Sequence, residues 1–269
     1  MPPRMTDQNY ETLVLENPVA YVLKITLNRP EVANAFNTQM ATDLMHCFET
    51  LALEPGDNRC VILTGAGAKA FCAGGDLKER EGMTNEAWTE QHLIYERMIR
   101  AIIDCPLPLI AAVNGAAFGG GCELAAAVDF VYASENARFA MTETSLGIIP
   151  GTGGTQTLAR ALGERRAKEL ILSARRFSAE EAQRWGFVNE VFAPGRLLGE
   201  ALQTASRIAA NAPIAVLQAK RAIHGGLQMS LADGLNFEIE AYNHTVPTDD
   251  RREGVKAFNE KRAPQFKGK

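Results

Sequence analysis

Three short, almost uninterrupted apolar runs constrain this chain most: 59–64 (RCVILT), 109–113 (LIAAV) and 130–133 (FVYA). They lack the strict polar–apolar alternation of a strand with one wet face, so each reads as a strand covered on both faces. Such strands need helices around them, and helical patterns do separate them. Over 38–53 the apolar positions Met40, Leu44, Cys47, Phe48 and Leu51 recur at helical spacing, and Pro55-Gly56-Asp57 ends the helix. Over 88–103, Leu93, Met98, Ile102 and Ile103 do the same until Pro106 and Pro108 stop it. A glycine-rich turn leads into a third helix at 121–128. Strand, helix, strand, helix predicts a layered α/β core with mostly parallel pairing. Ahead of it, 10–15 and 20–27 read as strands joined by a turn at Glu16-Asn17-Pro18.

Past about Arg196 the strand signals stop. Helices are expected at 197–210, 214–224, 231–242 and 249–261, divided by Pro213, Gly225-Gly226 and Pro247. With no Ser/Gly linker, this tail is expected to pack rather than hang free. Of the 269 residues 46% are apolar and 22% charged, with a net charge of −4, which excludes a disordered chain and a dedicated nucleic-acid binder. The five cysteines form no CxxC pair, and the four histidines form no HExxH motif, so no metal is expected. No run approaches the roughly 18 apolar residues of a membrane span, and the first eleven residues carry no leader signature. The expected compartment is a reducing cytoplasm.

Charge is missing from two long windows. Residues 105–128 contain only Glu123, and residues 139–159 only Glu143. A carboxylate in such surroundings is desolvated and its pKa rises, which is the state a general acid or base needs near neutral pH. A pair could divide one reaction, one acid handling a water and the other a proton on carbon. Alternatively, each is a helix-end or surface glutamate on an otherwise apolar element.

Glu123 follows Gly119-Gly120-Gly121 at a helix start, where the backbone can approach a ligand and free N–H groups favour negative charge. A developing oxyanion is one such ligand, although tight packing alone would also use these glycines. A second loop, Gly74-Gly75, could supply another N–H, with Asp76 placed to cap the helix that follows. A third, 151–154 (GTGG), lacks both the Gly-Lys-Ser/Thr of a phosphate loop and the acidic partner of a dinucleotide site. There is no G-x-S-x-G, and His46, His92, His224 and His244 read as surface or packing residues. The remaining chemistry is carboxylate acid/base work beside an oxyanion hole.

The segments 69–80 (KAFCAGGDLKER), 111–129 (AAVNGAAFGGGCELAAAVD) and 143–156 (ETSLGIIPGTGGTQ) together resemble the crotonase, or enoyl-CoA hydratase/isomerase, superfamily. So do 27–35 (LNRPEVANA) and 248–267 (TDDRREGVKAFNEKRAPQFK), and the likeness covers nearly the whole chain. The resemblance implies a spiral of β-β-α units over 1–207, followed by a helical oligomerisation region over 208–269, assembled as a homotrimer or homohexamer. It implies an acyl-CoA thioester substrate, with coenzyme A part of the substrate and no separate cofactor. The Gly75 and Gly120 N–H groups would hold the thioester oxyanion. Glu123 would orient and deprotonate a water, and Glu143 would exchange the proton at Cα. Isomerase relatives generally keep one of the two acids, so both together favour a hydratase.

The same resemblance assigns CoA contacts to Ala73, Gly75, Asp76, Leu77, Lys78 and Gly120. It adds Phe258 and Lys261, which would reach the CoA of a neighbouring copy. Gly75 departs from the pattern, where hydratases more often have Ala. The stretches GGDLKEREGM, AKELILSARRFSAEEA and RAPQFKGK lean towards methylglutaconyl-CoA hydratases. Some of those bind AU-rich RNA through a lysine-rich helix. Here that helix, 38–53, has no Lys or Arg and carries Asp43 and Glu49, which argues against a nucleic-acid partner.

Overall fold

The computed structural model of the chain describes residues 5–269; the first four residues, within the segment read above for a leader, lie outside it. In chain order, β1 (Leu13–Val19) and β2 (Val22–Leu27) form a hairpin before α1 (Thr38–Leu53). Next come β3 (Cys60–Gly65), β4 (Ala70–Cys72), α2 (Leu77–Arg80), α3 (Asn85–Ile103), β5 (Leu109–Val113), β6 (Ala116–Phe118) and α4 (Gly120–Ala127). Then follow β7 (Phe130–Ser134), β8 (Arg138–Ala140), α5 (Gly154–Leu162), α6 (Glu164–Ser173), β9 (Phe177–Ser178), α7 (Ala179–Arg184) and β10 (Glu190–Phe192). The chain finishes with α8 (Leu197–Ala209), α9 (Pro213–Gly226), α10 (Leu231–Asn243) and α11 (Asp249–Asn259).

Two sheets result. The larger runs β1-β2-β3-β5-β7-β10, parallel except for the first hairpin, and the smaller runs β4-β6-β8-β9, parallel except for its last pair. From β3 to β8 each turn of the chain lays one strand in the large sheet and the next in the small one before crossing back through helix. This is the spiral of β-β-α units expected for the family. At the corners β3–β4 and β5–β6 the backbones nearly touch. A Cβ on Gly65 would lie 2.4 Å from the Phe71 carbonyl oxygen, and one on Gly115 2.4 Å from that of Lys69.

The apolar runs are explained by burial on both faces. Along β3, Val61 and Leu63 join the main core under α1 and α3, while Cys60 and Ile62 pack towards α8. Along β5, Ala111 and Val113 face the main core and Ile110 and Ala112 the second. The α8 contribution, Leu197, Ala201, Ala205 and Ala209, recurs every fourth residue, so one stripe of mostly small side chains meets the sheet closely.

One expected turn is moved. Glu16-Asn17-Pro18 lies inside β1 at a register shift, and the chain reverses at Ala20-Tyr21, where Tyr21 takes φ 64°. A bulge on an edge strand tolerates the missing proline N–H, which a regular ladder would not. All five cysteines are buried and unpaired. Among the described residues no helix is long and apolar enough to cross a membrane.

Candidate active site

The site gathers at the ends of three neighbouring small-sheet strands. β4 delivers Ala73 to Asp76, β6 delivers Gly119 and Gly120, and β8 delivers Thr142 and Glu143. Parallel pairing, with Cys72 opposite Ala117 and Phe118 opposite Ala140, places all three loops at the same end of the sheet. They open onto a cavity of about 460 Å³.

Phe36 ties two of the loops together. Its N–H donates to the Gly74 carbonyl (2.9 Å) and its own carbonyl accepts from the Asp76 N–H (3.0 Å), with a further bond from the Tyr95 hydroxyl (3.1 Å). Its ring lies where a Cβ of Gly120 would fall, 2.4 Å from Cζ. Gly74 takes φ +96°, and a Cβ placed there would sit 3.2 Å from the Gly120 nitrogen, so the two glycine loops abut. Among the described residues the Gly75 and Gly120 N–H groups have no partner within the chain, and both residues line the cavity. They are therefore available as a pair of donors to an oxyanion.

The two glutamates are buried, and their surroundings differ. Glu123, on the first turn of α4, accepts at Oε1 from the Thr152 N–H (2.9 Å) and the Gly154 N–H (2.7 Å), and at Oε2 from the Thr152 hydroxyl (2.6 Å). The glycine turn that carries no nucleotide signature is thus an anion cradle for a side chain. A Cβ on Gly154 would lie 2.8 Å from Glu123 Cγ, which is why glycine stands there. Among the described residues Glu143 Oε2 has no hydrogen-bond partner. Burial first, and the neighbouring charge of Glu123 second, push its carboxyl up to about 7. One carboxylate is held by three donors, and the other is poised to exchange a proton near neutral pH.

Ala73, Gly75, Leu77 and Gly120 line the cavity together with Glu123 and Glu143. Asp76 lies beneath them. It caps α2 through the Lys78 N–H (3.1 Å) and pairs with the Arg29 guanidinium (3.0 Å). Lys78 is exposed at the start of α2, and its side chain is not part of the lining. Phe258, which is 84% exposed, and Lys261 sit at the end of α11 and do not reach this cavity within the chain.

His92 corrects an expectation. Instead of lying on a surface or packing face, it lines the cavity and abuts the Gly151 loop, where a Cβ would fall 2.5 Å from His92 Cε1. Trp88, His92 and Tyr95 stand four and three residues apart, so one face of α3 forms the wall. The apolar positions read from the sequence on this helix, Leu93, Met98, Ile102 and Ile103, did not single out this face. Thr152 lay in a turn singled out for its glycines, whereas nothing in the sequence pointed to Phe36.

A family model for enoyl-CoA hydratase/isomerase matches residues 18–269. The Bacillus subtilis protein YngF, named for the enoyl-CoA hydratase/isomerase group, is 48% identical over 244 residues, 91% of this chain and 94% of that protein. A short-chain-enoyl-CoA hydratase of Clostridium acetobutylicum is 40% identical over 241 residues, 90% of this chain and 92% of its own. The crystal structure of an enoyl-CoA hydratase from Bacillus anthracis superposes with a TM-score of 0.94 at 45% identity, covering 96% of this chain and all of that one. The chain belongs to the enoyl-CoA hydratase/isomerase family, and it is an enzyme of that family.

Proposed function

We propose that this enzyme adds water across the 2,3 double bond of a 2-enoyl-CoA, giving a 3-hydroxyacyl-CoA. The observation that carries the reading is the contrast within one cavity between Glu123, fixed by three donors, and Glu143, whose Oε2 has no hydrogen-bond partner among the described residues and whose carboxyl is raised to about 7. The thioester oxygen accepts from the Gly75 and Gly120 N–H groups, which stabilise negative charge as the oxygen becomes enolate-like. Glu123 accepts a proton from a water whose oxygen bonds to Cβ. The π electrons of the double bond take up the proton of neutral Glu143 at Cα. Passing the proton from Glu123 back to Glu143 restores the starting state. Both carboxyls serve one face of the substrate, so addition is syn.

A double-bond shift needs only one carboxyl, to carry a proton between carbons. The cradle around Glu123 is more apparatus than that reaction requires, and it favours hydration. The scheme uses no cofactor, because coenzyme A arrives as part of the substrate. For the CoA moiety we assign Ala73, Gly75 and Lys78 to the adenine and phosphate side. We assign Phe258, exposed on α11, and Lys261, exposed just beyond its end, to the CoA of a neighbouring copy in a homotrimer or a pair of trimers.

The test is hydration of crotonyl-CoA by the wild type and by Glu123→Gln and Glu143→Gln, with folding followed by circular dichroism. Each variant should lose about 10²–10⁴-fold in kcat. Turnover retained in both would overturn the reading. Product analysis with 3-enoyl-CoA and 3-methylglutaconyl-CoA separates isomerisation and branched-chain hydration from the straight-chain reaction.

A further inference from the structure

Five glycines form the two loops that meet at the cavity, and four of them are forced. Gly74 and Gly119 have φ of +96° and +51°, the left-handed region that favours glycine. Gly120 and Gly121 are crowded, because added Cβ atoms would fall 2.4 Å from Phe36 Cζ and 2.0 Å from the Cys72 carbonyl oxygen. Gly75 is bound by neither constraint. Its φ is not positive, and it pairs with Phe36 in a parallel bridge, a strand-like backbone that any residue adopts. The atoms nearest to an added Cβ are Arg80 Nη1 at 3.8 Å, Arg80 Cζ at 3.9 Å and Tyr95 Cε2 at 3.9 Å, all at ordinary contact distance. The fold therefore leaves room for one methyl group at Gly75 and does not use it.

That room opens on the cavity, which Gly75, Arg80 and Tyr95 all line. Its place along the substrate follows from the proposed donor role of Gly75. An oxygen that accepts from the Gly75 N–H lies about 3 Å from the nitrogen, and the Cβ position about 2.5 Å from it. The room is thus within about 5.5 Å of the thioester oxygen, and it serves the atoms beside the carbonyl carbon, not the far end of an acyl chain. One of those atoms, the sulfur, is the same in every CoA thioester. The other, C2, is where substrates differ. A methyl branch on C2 would be buried against the Tyr95 ring edge and the Arg80 guanidinium.

We propose that the missing side chain at Gly75 is a specificity feature that admits a methyl branch at C2 of the acyl group. The enzyme then takes 2-methyl-branched 2-enoyl-CoA thioesters as well as unbranched ones. This rests on the hydratase reading and adds to it the shape of the acyl group next to the thioester.

The first test is binding, which needs no turnover. Propanoyl-CoA and 2-methylpropanoyl-CoA, saturated thioesters that differ by that one methyl, are titrated into wild type and Gly75→Ala by calorimetry. The wild type should bind the branched thioester about two- to fourfold more tightly, and Gly75→Ala should reverse the order. The second test is turnover. The ratio of kcat/KM for 2-methylbut-2-enoyl-CoA to that for crotonyl-CoA should fall about tenfold or more from wild type to Gly75→Ala. A ratio cancels any general effect of the substitution on the donor loop. The proposal is overturned if the wild type binds the branched thioester no better than the unbranched one. An unchanged ratio, with equal losses on both substrates, would also overturn it and mark Gly75 as a requirement of the loop itself. If Gly75→Ala does not fold, the wild-type binding pair decides alone. If the wild type binds the thioesters in the expected order yet hydrates neither enoyl substrate, the hydratase reading falls and the room for a branch stands.

Discussion

At the scale of single residues, the two glutamates were legible because each is the only charge in a long apolar stretch. Their division of labour was not, because it depends on which donors each carboxyl meets after folding. Thr152 and the Gly154 N–H reach Glu123 from about thirty residues away, a relation that no local pattern encodes. Thr152→Val keeps the N–H and the shape but deletes the hydroxyl that donates to Glu123 Oε2; kcat for hydration should fall about tenfold with KM little changed. Glu143 sets a pH dependence. In the proposed scheme hydration needs its neutral form, so kcat should decline above about pH 7, while dehydration of the 3-hydroxyacyl-CoA should decline below it. Stability follows the same group. An acid that holds its proton more tightly when folded favours folding below its ordinary value of 4.5, and that advantage is lost as pH rises through about 7. Glu143→Gln escapes the loss, so thermal melts should match the wild type near pH 5 and exceed it at pH 8, by roughly 1–2 kcal/mol.

At the scale of elements, periodicity located the long helices and the buried strands of the large sheet, with α1 and β5 at their observed bounds. The small sheet escaped because β4, β6 and β8 are three residues each, too short to display any period. Yet these strands aim the loops that line the cavity, and the glycines between them mark their close approach. Two glycines separate crowding from backbone conformation. A Cβ on Gly121 would fall 2.0 Å from the Cys72 carbonyl oxygen, and backbone at a sheet end cannot move aside. Gly147 has φ +78° and open space around it. Denaturant titration should show Gly121→Ala losing about 3 kcal/mol or more, and Gly147→Ala only about 1 kcal/mol.

At the scale of the whole molecule, the tail is anchored by a few polar ties and leaves an apolar face open. Lys220 on α9 pairs with Asp129 at 2.7 Å, and Arg59 donates to the carbonyls of Ala209 and Phe266. Leu227, Leu231, Leu235, Ile239 and Tyr242 remain 52–81% exposed around α9 and α10, a patch of the kind that marks a protein interface. Sedimentation should give a mass at a multiple of 29.2 kDa, three or six in our reading. Leu227→Asp combined with Leu235→Asp should release monomers without unfolding the core. The helical tail could be read from the sequence; the face it leaves uncovered could not, because apolar residues on a helix look alike whether they meet the same chain or another copy. Phe36 has a consequence for how such an enzyme can diversify. Its backbone clamps one glycine loop and its ring holds off the other, so the width of the proposed oxyanion hole is set by an aromatic spacer rooted outside α2 and α3. Those two helices can therefore be rebuilt around a different acyl group while the reaction they serve is inherited intact.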